Sequence, residues 1–274
     1  GEMKSEILGS PIPIKGVAGD QQAATIGQAC FQKGMIKSTY GTGCFALLNT
    51  GEQFVLSKNK LLSTIAYKIN GRTCYALEGS IFIAGAVVQW LRDSINIIDK
   101  ADQVGHLASK AKDQDIYFVP AFTGLGAPYW DSNARGAIFG LLRDTGREEI
   151  ALAALESIGF QTRDLLEAMI KDVEGMKRDH VKLRVDGGMT QSSLSMKILA
   201  NLTGVEINIP TIQESTAKGV AWLAGMRAGL YNQLEVFEKE WALKETFSPL
   251  ISANERDKKY KGWKEAVGKT GTST

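Results

Sequence analysis

Glycines punctuate this chain at the boundaries between short apolar runs and longer amphipathic stretches. The sequence contains 29 glycines but only 6 prolines, and several glycines follow an apolar run and precede a helix-forming one. That placement is typical of turns that lead from a β-strand into an α-helix. Strands and helices that alternate over 274 residues predict one layered α/β domain, with a mixed sheet flanked by helices.

The spacing of apolar residues predicts the individual elements. Pairs of apolar runs flank the turns Gly41-Thr42-Gly43 and Asn70-Gly71, and each pair predicts a β-hairpin. Further strands are predicted at residues 14–18, 115–120, 182–185 and 205–209. Helices are predicted at residues 21–31, 81–95, 148–171, 192–202, 217–229 and 255–267. The small polar residues at 268–274 predict a disordered tail.

Composition and charge exclude several classes of protein. Apolar residues make up 44% and charged residues 23% of the chain, which is typical of a globular protein rather than a disordered or fibrous one. The formal net charge of +2 gives no bulk electrostatic signal for nucleic-acid binding. No apolar run reaches the length of roughly 18–20 residues that a membrane span needs.

Cysteine and histidine usage predicts neither a disulfide framework nor a metal centre. The three cysteines form an odd set without C-x-x-C spacing, which favours a reducing cytoplasm. The two histidines, His106 and His180, are isolated in polar stretches. We therefore predict that this chain holds no metal through a His or Cys cluster.

Two glycine turns are candidates for binding an anion. The turn Gly41-Thr42-Gly43 lets backbone N–H groups and one hydroxyl approach a phosphate, although an ordinary hairpin turn needs the same glycines. The segment Asp186-Gly187-Gly188 follows a predicted strand and precedes a helix, whose N-terminus favours negative charge. An ordinary turn between a strand and a helix is the alternative there. Neither segment contains the P-loop motif.

Two further segments carry candidate chemistry. Asp20 and Gln21 follow a predicted strand, so the carboxylate could accept a proton from a substrate hydroxyl while the amide binds a neighbouring one. The structural alternative is that Asp20 caps the next helix. The aromatic loop at residues 127–136 is either functional or a buried loop held by an Arg–Asp pair.

Taken in order, these motifs resemble the C-terminal half of the FGGY carbohydrate kinases, and among them the members that phosphorylate glycerol. The resemblance extends over residues 12–266. The matching stretches are residues 16–24 (GVAGDQQAA), 39–45 (TYGTGCF), 84–93 (AGAVVQWLRD), 124–130 (GLGAPYW), 136–141 (GAIFGL), 185–188 (VDGG) and 214–217 (ESTA).

The resemblance implies an actin-like ATPase fold, related to ribonuclease H, and a role for each matching residue. Asp20 would be the catalytic base that accepts the proton of a terminal hydroxyl of glycerol during attack on the γ-phosphate of ATP. Gln21 would bind a glycerol hydroxyl, and Phe45 would cover the carbon backbone of the substrate. The residues implied to contact ATP are Gly41, Thr42, Gly43, Gly85, Gln89, Gly187, Gly188 and Ser192.

Two positions depart from the family pattern. The family often carries an asparagine four residues after the glycine at position 188, where it contacts adenine, but this chain has Ser192. Some bacterial members carry an arginine immediately before Ile12 that binds an inhibitory sugar bisphosphate, whereas this chain has Pro11. The resemblance to some bacterial members also implies a docking surface for a phosphotransferase-system protein near Glu255.

We find no first phosphate loop of the Asp-x-Gly-Thr type, which in this fold positions Mg²⁺ and lies near the N-terminus. We therefore expect the chain to be one half of a kinase, whose N-terminal domain supplies most Mg²⁺ contacts and the remaining substrate contacts. Alone, it should bind ATP or ADP weakly, transfer no phosphate and expose an apolar face that allows self-association into a homo-oligomer. The alternatives are an FGGY kinase for another polyol or sugar, and a non-enzymatic actin-like nucleotide-binding module.

Overall fold

Seven strands form a mixed central sheet in the computed structural model, which describes residues 1–112, 114–231 and 234–271. The strands are β1 (Glu2–Met3), β2 (Ile12–Pro13), β3 (Met35–Tyr40), β4 (Cys44–Gly51), β5 (Leu62–Ile69), β6 (Arg72–Ile81), β7 (Tyr117–Val119), β8 (Ala137–Phe139), β9 (Lys182–Asp186), β10 (Ile207–Pro210) and β11 (Leu243–Phe247). The central sheet has the order β11-β10-β9-β3-β4-β6-β5. Strand β9 runs parallel to β3 and β10, and the other neighbours in this sheet are antiparallel.

Helices cover both faces of this sheet. They are α1 (Ser5–Leu8), α2 (Asp20–Gly27), α3 (Gly85–Asp93), α4 (Gln103–Ala108), α5 (Arg147–Asp172), α6 (Ser193–Thr203), α7 (Ser215–Arg227), α8 (Leu234–Glu240) and α9 (Ala253–Thr270). The larger hydrophobic core joins one face of the sheet to α3, α5, α6 and α9. A smaller core on the other face contains residues of α2, α7 and α8. This arrangement confirms the predicted layered α/β architecture.

The alternation of side chains along β3 assigns its residues to the two faces. Ile36 and Tyr40 are buried in the larger core, and the Tyr40 hydroxyl forms a 2.9 Å hydrogen bond with that of Thr162 on α5. Lys37 points to the opposite face, where it contacts α2. The strand therefore places an apolar row on α5 and a polar row under α2.

Helix α5 is anchored to α9 through a buried carboxylate. The Asp164 carboxylate accepts hydrogen bonds from the Tyr260 hydroxyl at 2.6 Å and from Nε1 of Trp263 at 2.8 Å. The Trp263 ring also stacks on Phe160, with the ring centroids 5.3 Å apart. Burial raises the pKa of Asp164, while Lys264 and the hydrogen-bond donors oppose that shift. The C-terminal helix is thus an integral layer of the domain.

Both predicted hairpins are confirmed. Strands β3 and β4 pair with Tyr40 opposite Cys44, so Gly41-Thr42-Gly43 forms the connecting turn. Strands β5 and β6 pair with Ile69 opposite Arg72 around Asn70-Gly71. The predicted helix at 148–171 matches α5 to within one residue at each end.

The predicted strand at residues 14–18 is wrong. Only Ile12–Pro13 is extended and paired, and its partner is the short strand β1 rather than the central sheet. The side chain of Val17 is 83% exposed. At Gly16 the backbone lies against α7, since a Cβ there would come within 2.7 Å of the Ala224 nitrogen. An apolar run forms a strand only where a partner strand lies beside it.

Three other predicted boundaries need correction. The helix predicted at 21–31 ends at Gly27. The helix predicted at 81–95 begins only at Gly85 and ends at Asp93, because Ile81 still belongs to β6 and pairs with Cys44. Helix α9 extends to Thr270, so residues 268–270 are helical rather than part of the predicted disordered tail. Residues 272–274 of that predicted tail lie outside the described residues.

The three cysteines are buried and form no disulfide with one another. Burial raises the pKa of the Cys30 thiol to about 12 and that of Cys44 to about 11. Because the thiolate is the reactive form, both side chains behave as small apolar residues.

Candidate functional site

A cavity of about 620 Å³ opens where the β3–β4 turn meets the N-terminal ends of α3 and α6. The predicted residues that line it come from three distant parts of the sequence. Six of the predicted ATP-binding residues line it, namely Gly41, Thr42, Gly85, Gln89, Gly188 and Ser192. Their convergence on one cavity is a geometric result that no single motif could predict.

The β3–β4 turn and the start of α3 interlock through the backbone. The Gly85 N–H donates to the Gly41 carbonyl at 2.9 Å, and the Ala84 and Ala86 N–H groups donate to the Thr42 carbonyl at 2.8 and 2.9 Å. A Cβ at position 85 would lie 2.5 Å from the Gly41 oxygen. Glycine is therefore needed at position 85 for the helix to begin this close to the turn.

The glycine pair that follows β9 has two different roles. Gly187 has a φ of +95°, and a Cβ there would come within 2.3 Å of the Tyr40 oxygen. At Gly188 a Cβ would meet no atom within 4 Å, and this residue lines the cavity. Gly187 thus allows close packing of the turn on β3, whereas Gly188 leaves open space beside the cavity.

Gly43, like Gly187, does not line the cavity, and both Gly43 and Ser192 have clear local functions. Gly43 packs so closely on β6 that a Cβ would lie 2.7 Å from the Ile81 oxygen. Ser192 is the N-cap of α6, and its hydroxyl oxygen accepts a hydrogen bond from the Ser195 N–H at 3.3 Å. Like Gly187, Gly43 shapes the backbone around the cavity by close packing.

Sequence reasoning missed several residues that line this cavity. They include Arg92, Asp102, Met189 and Gln191. Arg92 follows Gln89 by three positions and so shares its face of α3, a spacing that could have identified it. Its guanidinium forms a 2.6 Å ion pair with the adjacent Asp93.

A second group of predicted residues lies at the start of α2. Asp20 is the first helical residue and is exposed, whereas Gly19 occupies the N-cap position. The alternative interpretation of Asp20 as the N-cap is therefore wrong. Its Oδ1 accepts a hydrogen bond from the Gln21 N–H at 2.8 Å, and its Oδ2 accepts one from Nε2 of Gln21 at 3.1 Å. Both carboxylate oxygens are thus oriented by the next residue.

Lys37 connects Gln21 to Phe45 and was not predicted as a site residue. Its side chain is fully buried, and its Nζ donates hydrogen bonds to Oε1 of Gln21 and, at 3.2 Å, to the Phe45 carbonyl. Burial lowers the pKa of Lys37, while the Asp186 carboxylate opposes that shift. A lysine in a strand pattern is normally read as a solvated side chain, so the sequence contained no signal for this contact.

Asp186, the first residue of the Asp186-Gly187-Gly188 segment, does not line the cavity. Its side chain lies on the face of the sheet that α2 covers. It is only 2% exposed, and its Oδ2 accepts a 2.8 Å hydrogen bond from Nε2 of Gln28. The Gln28 Oε1 in turn accepts one from the Trp241 indole at 3.2 Å. This carboxylate therefore belongs to the polar layer between the sheet and α2.

The aromatic loop at 127–136 is held by backbone contacts on its own residues. Oδ1 of Asp131 accepts hydrogen bonds from the N–H groups of Asn133 at 2.9 Å and Ala134 at 3.0 Å. Arg135 donates to the carbonyl of Ser132 at 2.9 Å and to that of Ala134 at 2.8 Å. These bonds run to the backbone rather than between Arg135 and a carboxylate, and they do not decide between the functional and structural interpretations of the loop.

Within residues 1–112, 114–231 and 234–271, no three His, Cys, Asp or Glu side chains are grouped so that they could hold a metal ion. The helices in this same part of the chain are all too short or too polar to cross a bilayer.

A mixed sheet covered on both faces, with glycine turns converging on one cavity, agrees with the actin-like ATPase fold that the resemblance implies. A family model agrees: residues 36–228 match the C-terminal domain of the FGGY family of carbohydrate kinases. The chain belongs to that family.

Relatives of similar sequence are named glycerol kinase. The chain is 57% identical over all of its 274 residues to a protein of that name from Chelativorans sp., covering 55% of that protein. It is 59% identical over 267 residues, or 97% of the chain, to one from Rhizobium rhizogenes, covering 54% of it. The chain therefore spans about half the length of these relatives.

Solved structures give the same picture of the fold. A crystal structure of Plasmodium falciparum glycerol kinase with ADP matches 96% of the chain and 52% of that protein, with a TM-score of 0.86 and 36% identity. A ligand-bound xylulose kinase from Lactobacillus acidophilus matches 97% of the chain and 54% of that protein, with a TM-score of 0.84 and 23% identity. The second likeness bears on the fold alone.

Proposed function

We propose that this chain is the C-terminal, nucleotide-binding half of an ATP-dependent glycerol kinase. The complete enzyme transfers the γ-phosphate of ATP to a terminal hydroxyl of glycerol and forms glycerol 3-phosphate. The observation that carries this proposal is the convergence of six predicted nucleotide-binding residues on one cavity of about 620 Å³. The names of the relatives support glycerol as the acceptor.

The cavity has the chemistry that a nucleoside diphosphate or triphosphate requires. Gly41 and Thr42 bring backbone and a hydroxyl to one wall, where phosphate oxygens would lie. Val88 and Leu155 add apolar surface of the kind on which a base packs. In this arrangement Ser192 lies beside the base, in the place where the family often carries asparagine.

Asp20 acts as the general base in this proposal. Its carboxylate is exposed and held by two donors from Gln21, so it can face a hydroxyl that enters from solvent. A carboxylate in this position can take the proton of an attacking hydroxyl. Gln21 binds a second hydroxyl of glycerol, and the ring of Phe45, 41% exposed, covers the carbon chain.

Mg²⁺ enters with the nucleotide and neutralises charge on its phosphates. The described residues lack a carboxylate cluster for it, so the N-terminal domain supplies its protein contacts in this proposal. That domain also completes the glycerol site. Three buried, unpaired cysteines are consistent with a cytoplasmic location.

The test is a phosphorylation assay of the full-length protein with Mg·ATP and a panel of glycerol, xylulose, gluconate and other polyols. We expect glycerol to have the highest kcat/KM and the isolated 274-residue chain to be inactive. Turnover by the isolated chain would contradict the assignment of a half-site. A higher kcat/KM for another polyol would move the assignment to a different FGGY kinase, and phosphorylation of none would favour a nucleotide-binding module.

A further inference from the structure

Two proposed substrate-site residues contact one buried side chain that no comparison assigns, and the third, Asp20, is joined to it through Gln21. Nζ of Lys37 donates to Oε1 of Gln21 and to the carbonyl oxygen of Phe45. Nε2 of Gln21 then donates to Oδ2 of Asp20 at 3.1 Å. A continuous chain of hydrogen bonds therefore runs from the interior of the sheet to the proposed catalytic base.

The chemistry of the lysine decides the direction of this chain. A charged ammonium group only donates hydrogen bonds, whereas a carboxamide has one accepting end and one donating end. Since Lys37 must face the accepting Oε1, the donating Nε2 of Gln21 is turned toward Asp20. The opposite orientation would place Oε1 of Gln21 against the carboxylate, which is also an acceptor.

Neighbouring carboxylates oppose the burial that lowers the pKa of Lys37. The side chain of Lys37 is fully buried, and the negative charges of Asp186 and Glu78 act on it. Oδ1 of Asp186 is buried and has no hydrogen-bond partner among the described residues, while Oδ2 accepts the bond from Gln28. The carboxylate therefore acts on Lys37 through its charge in addition to that bond. Burying an ammonium group is costly unless such charges compensate it.

We propose that Lys37 is a positioning residue of the kinase reaction: it sets the carboxamide of Gln21, and through it the Asp20 carboxylate, and it fixes the Phe45 backbone. Lys37 touches neither substrate nor nucleotide. The proposal rests on the proposed function, because it assigns Asp20 the role of base. Beyond that function, the proposal states that the buried ammonium group of Lys37 holds the glycerol-binding residues in position from the interior of the sheet.

The kinetic test uses Lys37→Met and Lys37→Gln in the full-length enzyme. Methionine fills a similar volume without a donor, whereas glutamine keeps N–H donors without the charge. We expect Lys37→Met to lower kcat/KM for glycerol by about 100-fold, the scale of a small misplacement of reacting groups. Lys37→Gln should retain more activity, and neither variant should change the KM for ATP.

The matched control is Ile36→Ala, which disturbs the same strand from its opposite face. Ile36 is fully buried, so its truncation lowers the melting temperature, but it should leave the KM for glycerol unchanged. The proposal would be overturned if Ile36→Ala and Lys37→Met lowered kcat/KM for glycerol equally, or if Lys37→Met changed the KM for ATP as much as that for glycerol. Either result would mean that Lys37 has only a structural role.

A second measurement separates this proposal from the proposed function. In ¹⁵N NMR spectra of the 274-residue chain, we expect slowly exchanging Lys37 ammonium protons and Gln21 side-chain amide signals that shift in Lys37→Gln. If the wild-type enzyme phosphorylates no polyol, the proposed function fails while these signals still report the hydrogen-bond chain. Rapid exchange at Lys37 with unchanged Gln21 signals would overturn the positioning role whatever the enzyme phosphorylates.

Discussion

The nucleotide end of the candidate site is a half-open cavity, whereas the glycerol end is an exposed surface. Six predicted residues line a cavity of about 620 Å³ between the β3–β4 turn and the starts of α3 and α6. At the other end Asp20 is exposed, Phe45 is 41% exposed and the nearby Val17 is 83% exposed. In this chain the predicted nucleotide residues therefore share one cavity, whereas Asp20 and Phe45 face solvent.

The two ends are joined by a single short turn. Thr42 lines the nucleotide cavity, and three residues later the carbonyl of Phe45 accepts a hydrogen bond from Lys37. Phosphoryl transfer requires donor and acceptor to be in line, so a rigid connection of this kind is mechanistically useful. The following variants test whether the two ends are separable in function, beginning with the largest expected effect.

Asp20→Asn should separate the ends most clearly. In the full-length enzyme we expect kcat to fall by about 10²–10⁴-fold, the usual contribution of a general base. Calorimetric titration of the 274-residue chain should give the same ADP affinity for the variant and the wild type. Asp99→Asn, at another exposed carboxylate, is the control and should change neither quantity. If Asp20→Asn lowered the affinity for ADP as much as it lowered kcat, the nucleotide and glycerol ends would not be separable in function.

Gly85→Ala should affect the nucleotide end. Its Cβ would lie 2.5 Å from the Gly41 oxygen, so the turn or α3 must shift. Overpacking of this kind costs about 1–3 kcal/mol, and we expect ADP affinity to fall by about tenfold or more. Gly268→Ala, whose Cβ meets nothing within 4 Å, is the control. If Gly85→Ala left the affinity for ADP unchanged, the cavity would not be the nucleotide-binding site.

Phe45→Ala should weaken glycerol binding without touching the nucleotide. The substitution removes the exposed ring but keeps the backbone carbonyl that bonds to Lys37. Loss of about 1–2 kcal/mol of apolar contact predicts a KM for glycerol that is about tenfold higher. Steady-state kinetics with varied glycerol and with varied ATP distinguish the two ends. A raised KM for ATP alone would contradict the assignment of Phe45.

Ser192→Asn should have the smallest effect, and it should be favourable. Asparagine is as good an N-cap as serine, so α6 should remain intact. An added hydrogen bond of about 0.5–1.5 kcal/mol to the base predicts ATP affinity that is about twofold to tenfold higher. Competition between ATP and a fluorescent nucleotide analogue measures this change. Weaker ATP binding at unchanged thermal stability would mean that the adenine base does not lie beside residue 192.

The turns were predictable because their chemistry is local. Gly41-Thr42-Gly43 and Asn70-Gly71 carry the residue types that a hairpin turn needs, and both hairpins are observed. The convergence of Gly85 and Gly188 on the same cavity depends on pairing between distant strands, and it was expected only through resemblance to a family. Sequence periodicity alone could not have placed them together.

Two features were beyond local sequence reasoning. Residues 14–18 form an apolar run, but burial depends on a neighbouring surface, and Val17 is exposed here. Lys37 is polar and alternates with apolar residues, so the pattern predicts a solvated side chain. Its burial follows from α2 packing above β3, together with the Asp186 and Glu78 charges nearby. Tertiary packing decided both outcomes.

The central claim is that this chain alone can bind the nucleotide, whereas glycerol binding needs the N-terminal domain as well. Titration of Mg·ADP and, separately, of glycerol into the purified 274-residue chain by calorimetry tests it most directly, with Thr42→Val alongside. We expect saturable one-site binding of Mg·ADP that is weakened in Thr42→Val, and no heat of binding from glycerol. Failure to bind Mg·ADP at millimolar concentration, or saturable glycerol binding by the chain alone, would contradict the account.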